Sequence, residues 1–221
     1  PRSIEHSSYT RMATRGATVQ GFDELAEGMR VLADSFSGGD GPRYAFLYWD
    51  MIDRTGHFHG PSSKEFRDAS RAALDAVWEG IAHLRDVTVL ITADHGQVDV
   101  RPDRVDYLDD LWTELPALLS QARPAGSSRD VFLHVRDGLV DTVINGLATR
   151  LGDRGDVRPA AELFDHPGLR LTQRLGDVAV LPSPGRQAWL HQAAANEQWF
   201  LGQHGGLHID ESATYLAQFI L

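Results

Sequence analysis

Two short apolar runs, 44–49 and 87–92, bracket a stretch of helical periodicity, and this order constrains the fold more than any other feature of the chain. Each run has the length of one buried strand. Between them, Ser62-Ser63-Lys64-Glu65 follows Pro61 as a capping-box pattern. The helix it starts is expected to run to about Leu84, with Ala73, Val77, Ile81 and Leu84 on one face. Strand, helix, strand in this order predicts a βαβ unit with a parallel pair. Such a unit brings both post-strand loops to one edge of the sheet, where open α/β sheets bind ligands.

The first of these loops reads Asp53-Arg54-Thr55-Gly56-His57-Phe58-His59-Gly60-Pro61, with a carboxylate four residues before an imidazole. Gly56 and the Gly60-Pro61 pair argue for a shaped loop rather than a continued helix. The second loop is Ala93-Asp94-His95-Gly96, and a third, Gly202-Gln203-His204-Gly205-Gly206, lies near the end of the chain. Asp and neutral His suit a zinc-type divalent ion. Glycine beside them lets backbone approach an ion or substrate closely. The Asp53–His57 pair alone is better read as an Asp capping a turn with a His packed beside it. Three loops, each with a ligand-type residue beside glycine, are harder to explain by packing.

The rest of the chain alternates in the same manner. Phe22, Leu25, Met29, Leu32 and Phe36 predict an amphipathic helix over 22–36. Residues 105–121 read as helical with a break at Pro116, and 131–135 as a short strand. Leu139, Val143, Leu147 and Leu151 mark another helix, closed by Gly152. A short helix over 160–164 and a strand over 177–181 follow; 196–201 leads into the His204 loop, and 214–221 closes the chain. Residues 1–20, rich in Ser, Thr and Arg, read as loop.

With 42% apolar and 24% charged residues, the 221-residue chain suits one globular domain, or a large part of one, with a sizeable core. No apolar stretch approaches the length of a bilayer span. The net charge of -10 argues against a general nucleic-acid-binding surface. It would also repel anionic substrates unless the site carries positive charge, which bound metal ions supply. With no cysteine, disulfide frameworks and thiolate zinc sites are excluded. The compartment is not fixed by this, the cytoplasm being marginally favoured, and the oligomeric state is not encoded in any feature found.

The ordered trio of Asp53 to Pro61, Thr92-Ala93-Asp94-His95-Gly96 and Gln203-His204-Gly205 resembles the alkaline phosphatase superfamily. Within it, the resemblance is to the type I phosphodiesterase/nucleotide pyrophosphatase branch, over residues 44–221. It implies an α/β fold of three layers, α/β/α, with a mainly parallel sheet whose N-terminal part is missing. The chain would then be the C-terminal portion of a single catalytic domain, with 100–195 partly an inserted or cap-like region. Two Zn2+ sites are implied, other divalent metals being alternatives: Asp53, His57 and His204 at one, Asp94 and His95 contributing to the other. The implied reaction is hydrolysis of phosphodiester or pyrophosphate bonds in a small phosphorylated, nucleotide-type substrate.

The family pattern also needs a further metal-binding Asp and a Thr or Ser nucleophile, and neither finds a match here. Thr10, Thr14 and Thr18 offer hydroxyls, but none follows a strand and turn into a helix. The expectation is a nucleophile upstream of this chain, leaving the chain alone inactive. Alternatives are a phosphomonoesterase, a sulfatase or a phosphomutase with the same metal loops, or a catalytically inactive metal-binding fragment. His59 is read as a surface residue and His134 as packed or surface. His208 is read as solvent-exposed or as support for a metal ligand. Tyr48 and Trp49 are read as core, and the acidic run 99–110 as a solvated face.

Overall fold

The computed structural model describes residues 1–36, 41–191 and 199–221. The first half of the predicted lead-in at 196–201 therefore falls outside the described residues. The helices are α1 (Ser8–Ala13), α2 (Leu25–Ser35), α3 (Met51–His59), α4 (Lys64–Ile81), α5 (Leu108–Leu111), α6 (Leu115–Leu118), α7 (Val140–Leu151), α8 (Leu169–Leu175) and α9 (Ile209–Ser212). The strands are β1 (Thr88–Thr92), β2 (Val98–Asp99), β3 (Val105–Tyr107), β4 (Ala125–Ser127), β5 (Asp130–Leu133), β6 (Gly155–Pro159), β7 (Val178–Pro182), β8 (Gln187–Trp189), β9 (Gly202–Gln203) and β10 (Leu216–Ile220). Two compact units result. One holds Pro1–Thr55, Ser63–Thr92 and Tyr215–Leu221; the other holds Gly56–Ser62 and Ala93–Thr214.

In the first unit, helical spacing produces the expected core. Leu25 and Met29 of α2 are buried with Ala73, Ile81 and Leu84, and Val77, Val89, Leu47 and Trp49 pack against them. The two helices approach closely at Gly80, where a Cβ would lie 2.7 Å from the Met29 Cβ. The α4 cap is Ser63, one residue later than the capping-box pattern suggested; its Oγ accepts the Phe66 N–H at 3.0 Å. Residues 1–20 are not simply loop. Ser7 caps α1 by accepting the Thr10 N–H at 3.0 Å, after a short 3-10 turn over Arg2–Ile4.

The βαβ expectation does not hold as a ladder. β1 pairs antiparallel with β10, Thr88 facing Ile220 and Thr92 facing Leu216. Residues 44–49 lie in none of the named strands. They keep a strand's alternation: Leu47 and Trp49 pack into the core, Trp49 stacking on Phe22 at 6.0 Å, while Tyr44, Phe46 and Tyr48 are exposed. Trp49 is thus core, as expected, and Tyr48 is not.

The second unit contains a four-stranded sheet in the order β4-β5-β7-β6, antiparallel throughout. Strand alternation divides its residues between two faces. Val131, Leu133, Val178 and Val180 pack against Val143, Leu147 and Leu151 of α7. Phe132 and Ala179 pack on the other face with Ala160, Leu163 and Leu175. Helical layers thus cover both faces of this sheet. β3 runs parallel to β8, and β2 antiparallel to β9.

The α/β class is as expected, but the described pairings are not mainly parallel. The physical reason is that a period of two reports which face a residue occupies and carries no strand direction. The helical reading of 105–121 is replaced by β3 and the one-turn helices α5 and α6, with Pro116 accommodated in the first turn of α6. The acidic run is not uniformly solvated either. Asp106 is buried, and both its carboxylate oxygens are taken by Arg154 and Arg186. None of the described helices is long and apolar enough to cross a membrane.

The core assignment makes a direct prediction. Leu147 is fully buried between α7 and the sheet, so Leu147→Ala should cost about 2–5 kcal/mol in urea-induced unfolding. Leu74→Ala, on the exposed side of α4 at 51% exposure, should stay within about 0.5 kcal/mol of wild type.

Candidate metal centre

The segment read from sequence as a shaped loop is a helix. α3 runs from Met51 to His59, and Asp53 and His57 stand one turn apart on it. The glycines do not break it; they serve its end. Gly60 has φ +81 and donates its N–H to the Gly56 carbonyl at 2.8 Å, terminating the helix before Pro61.

Pro61 has no N–H to give the His57 carbonyl four residues back. That carbonyl instead accepts the Leu201 N–H at 2.7 Å. The approach is close: a Cβ on Gly202 would lie 2.3 Å from the Gly56 carbonyl oxygen. His57 Nδ1 then lies 2.8 Å from the Gly202 carbonyl oxygen. With Nδ1 as donor, Nε2 keeps its lone pair, the arrangement that orients a metal-binding histidine. The Phe200 ring packs on the same imidazole at 4.8 Å between centroids.

His204 follows β9 directly. Because β9 pairs antiparallel with β2, Val98 facing Gln203, the residue after one strand meets the residues before the other. The His95 and His204 rings accordingly stack, 3.6 Å between centroids and 16° between planes. His57 and His204 are 5.2 Å apart on the same measure. Asp53, His57 and His204, all half-buried, each offer a ligand atom, and these atoms lie within 4.8 Å of one another.

Asp94 and His95 stand differently. The Asp94 carboxylate is 71% exposed and lies 3.7 Å from His95 Nε2, and His95 Nδ1 lies 3.0 Å from the Gly96 carbonyl oxygen. Among the described residues, the cluster that could hold an ion is the Asp53, His57 and His204 group, and Asp94 and His95 are not in it. His59 lies exposed at the end of α3. His208 caps α9, its Nδ1 accepting the Asp210 N–H at 3.3 Å.

Buried polar groups that no sequence pattern announced support the His204 loop. Gly205 has φ +113, and a Cβ there would lie 2.5 Å from the Ser127 Oγ. That hydroxyl reaches the His204 carbonyl oxygen at 3.3 Å and also donates to Asp130. Burial holds the Asp130 carboxyl above its ordinary range, against the lowering effect of its bonds from Ser127. Arg129 and Glu211 form a bidentate pair beneath the loop, 1% and 0% exposed. They lie 82 positions apart, so neither residue betrays the other in the sequence.

The profile of the type I phosphodiesterase / nucleotide pyrophosphatase family matches residues 6–207. Over 76 residues the chain is 36% identical to the Bos taurus bis(5'-adenosyl)-triphosphatase ENPP4, a match covering 30% of this chain and 16% of that protein. Murine ectonucleotide pyrophosphatase / phosphodiesterase 5 superposes with a TM-score of 0.68 at 20% identity, over 90% of this chain and 53% of its own. It has also been solved as an inactive threonine-to-alanine variant in complex with AMP. The human protein of the same name superposes with a TM-score of 0.70 at 16% identity, over 91% of this chain and 54% of its own. The chain thus spans about half the length of these solved relatives, and at such identities the likeness establishes the fold. The family profile runs through nearly the whole chain and includes the segments of Asp53–His57, Asp94–His95 and His204; the chain belongs to the type I phosphodiesterase / nucleotide pyrophosphatase family.

Proposed function

We propose that the protein carrying this chain is a divalent-metal-dependent hydrolase of phosphodiester or pyrophosphate bonds in nucleotide-type substrates. The observation that carries this reading is the convergence of Asp53, His57 and His204. Their donor set, one carboxylate and two imidazoles, fits a zinc-type ion, and three protein ligands with an open position is a recognised catalytic arrangement. Asp94 and His95 contribute to a second site that this chain leaves half-built. When bound, such ions supply positive charge to the phosphoryl oxygens, which a chain of net charge -10 does not provide by itself. The chain's own part is to hold the ligands: the Gly202 carbonyl fixes the His57 ring, and the α3 backbone spaces His57 from Asp53.

The reading extends to a Thr or Ser nucleophile outside this chain. Thr10 and Thr14 are engaged locally, their hydroxyls donating to the Ile4 and Thr10 carbonyls. The inactive threonine-to-alanine variant of the murine relative supports a hydroxyl nucleophile, and its AMP complex supports a nucleotide substrate. Residues 100–195 are proposed to be partly cap-like, since this span carries the separate antiparallel sheet.

Two outcomes test the assignment. His57→Ala should remove the tighter-held zinc ion, and Asp94→Ala should affect only the weaker one, as read by elemental analysis after dialysis. Equal loss of one ion from both variants contradicts the division into two sites.

In the intact protein, His57→Ala should lower turnover of bis-p-nitrophenyl phosphate by about three orders of magnitude, the scale of several kcal/mol of transition-state stabilisation. The isolated 221-residue chain should bind zinc yet turn over little or none. Robust zinc-dependent turnover by this chain would overturn the external nucleophile and direct alanine variants to Thr10, Thr14 and Thr18.

A further inference from the structure

The buried Arg129–Glu211 pair makes contacts that packing alone does not require. The guanidinium meets the carboxylate as a fork, Nε to Oε1 at 2.9 Å and Nη2 to Oε2 at 2.8 Å. Its remaining side, Nη1, donates to the carbonyls of Pro182, Ser183 and Arg186 at 3.0, 2.9 and 2.6 Å. Glu211 is thereby held to the end of β7 and the turn that follows it.

Glu211 in turn holds two other segments. Its Oε1 accepts the Gly206 N–H at 3.0 Å, two residues after His204. Its backbone carbonyl accepts the Gly96 N–H at 2.8 Å, next to His95. Both contacts need glycine. A Cβ on Gly206 would lie 2.8 Å from Glu211 Oε2, and one on Gly96 would lie 2.1 Å from the Asp210 carbonyl oxygen. One residue is therefore bonded to both histidine-bearing loops, whose His95 and His204 rings stack on each other.

A buried ion pair is expensive in desolvation, and apolar side chains of similar volume can fill such a space at least as stably. What the pair supplies is a directional acceptor with a fixed position. We infer that Glu211, oriented by Arg129, is a positioning residue for the metal centre, setting the His204 loop against the Asp94–His95 loop. The inference rests on the metal reading of Asp53, His57 and His204.

Its test uses Co2+ as the probe, with visible absorbance reporting coordination, in the intact protein. Glu211→Gln keeps the shape and an acceptor for Gly206, but its amide N–H2 opposes one arm of the guanidinium fork. Co2+ affinity should fall at least tenfold and the visible band should shift. Arg129→Lys, which keeps the charge and cannot form the fork, should weaken binding in the same direction, and it decides the matter if Glu211→Gln does not fold. Asp106→Asn breaks another buried carboxylate–arginine cluster, one that bonds neither loop and meets Arg129 only through the Arg186 backbone carbonyl. It should lower the melting temperature while leaving Co2+ affinity and spectrum at wild-type values.

Wild-type affinity and spectrum in the folded Glu211→Gln protein, or in Arg129→Lys where Glu211→Gln fails to fold, overturn the positioning role. So does an equal loss in Asp106→Asn. Failure of the wild-type protein itself to bind Co2+ overturns the metal reading, and the positioning role falls with it.

Discussion

A helix ending in proline leaves a carbonyl without its usual donor, and buried carbonyls are rarely left so. Pro61 imposes this on His57, and the Leu201 N–H resolves it. Much of the site depends on that one bond. It brings the segment before β9 onto the end of α3, and Gly202 permits contact that a side chain would block. The Gly202 carbonyl then orients the His57 ring, and His204 follows one residue after Gln203. A backbone accounting problem at a helix end thus joins two distant parts of the chain, and the His57 ring bond that follows from it spans 145 positions.

The second link is the short ladder between β2 and β9. Two residues on each side are enough, because antiparallel pairing puts the residues before one strand beside those after the other. His95 and His204 meet for this reason and not through any affinity between imidazoles. Short ladders are held weakly by themselves, so the loops around this one lean on further bonds: Asp99 accepts from Ser62, the Ser127 hydroxyl reaches the His204 carbonyl, and Glu211 accepts from Gly206 with its carboxylate and from Gly96 with its backbone carbonyl.

What could be read from the sequence follows from what local patterns encode. The ligand-type residues were legible because Asp or His beside glycine, in three loops of one chain, is unusual. The buried faces of α4 and α7 were legible because positions 73, 77 and 81, and 143, 147 and 151, repeat with a helical turn. The helical state of α3 was not, because Gly56 reads as a breaker until the strand that crosses it is known. Strand direction was not, since alternation is the same in parallel and antiparallel pairs; β1 pairing with β10 illustrates this. Asp106 and the Arg129–Glu211 pair were invisible because a charged residue is read as solvated until a distant partner is placed beside it.

The run 44–49 has a further consequence for how this chain behaves in solution. Its outward row of Tyr44, at 88% exposure, Phe46 and Tyr48 belongs to the same unit as the outward-facing Leu90, Leu216 and Ile220 of β1 and β10. Exposed apolar strand-like surface is adhesive between molecules. The opposing force is the repulsion of a molecule carrying net charge -10. That repulsion reaches only about 8 Å at physiological ionic strength and shortens as salt is added, whereas the apolar attraction does not weaken. Added salt therefore shifts the balance toward contact between copies of the chain through that face.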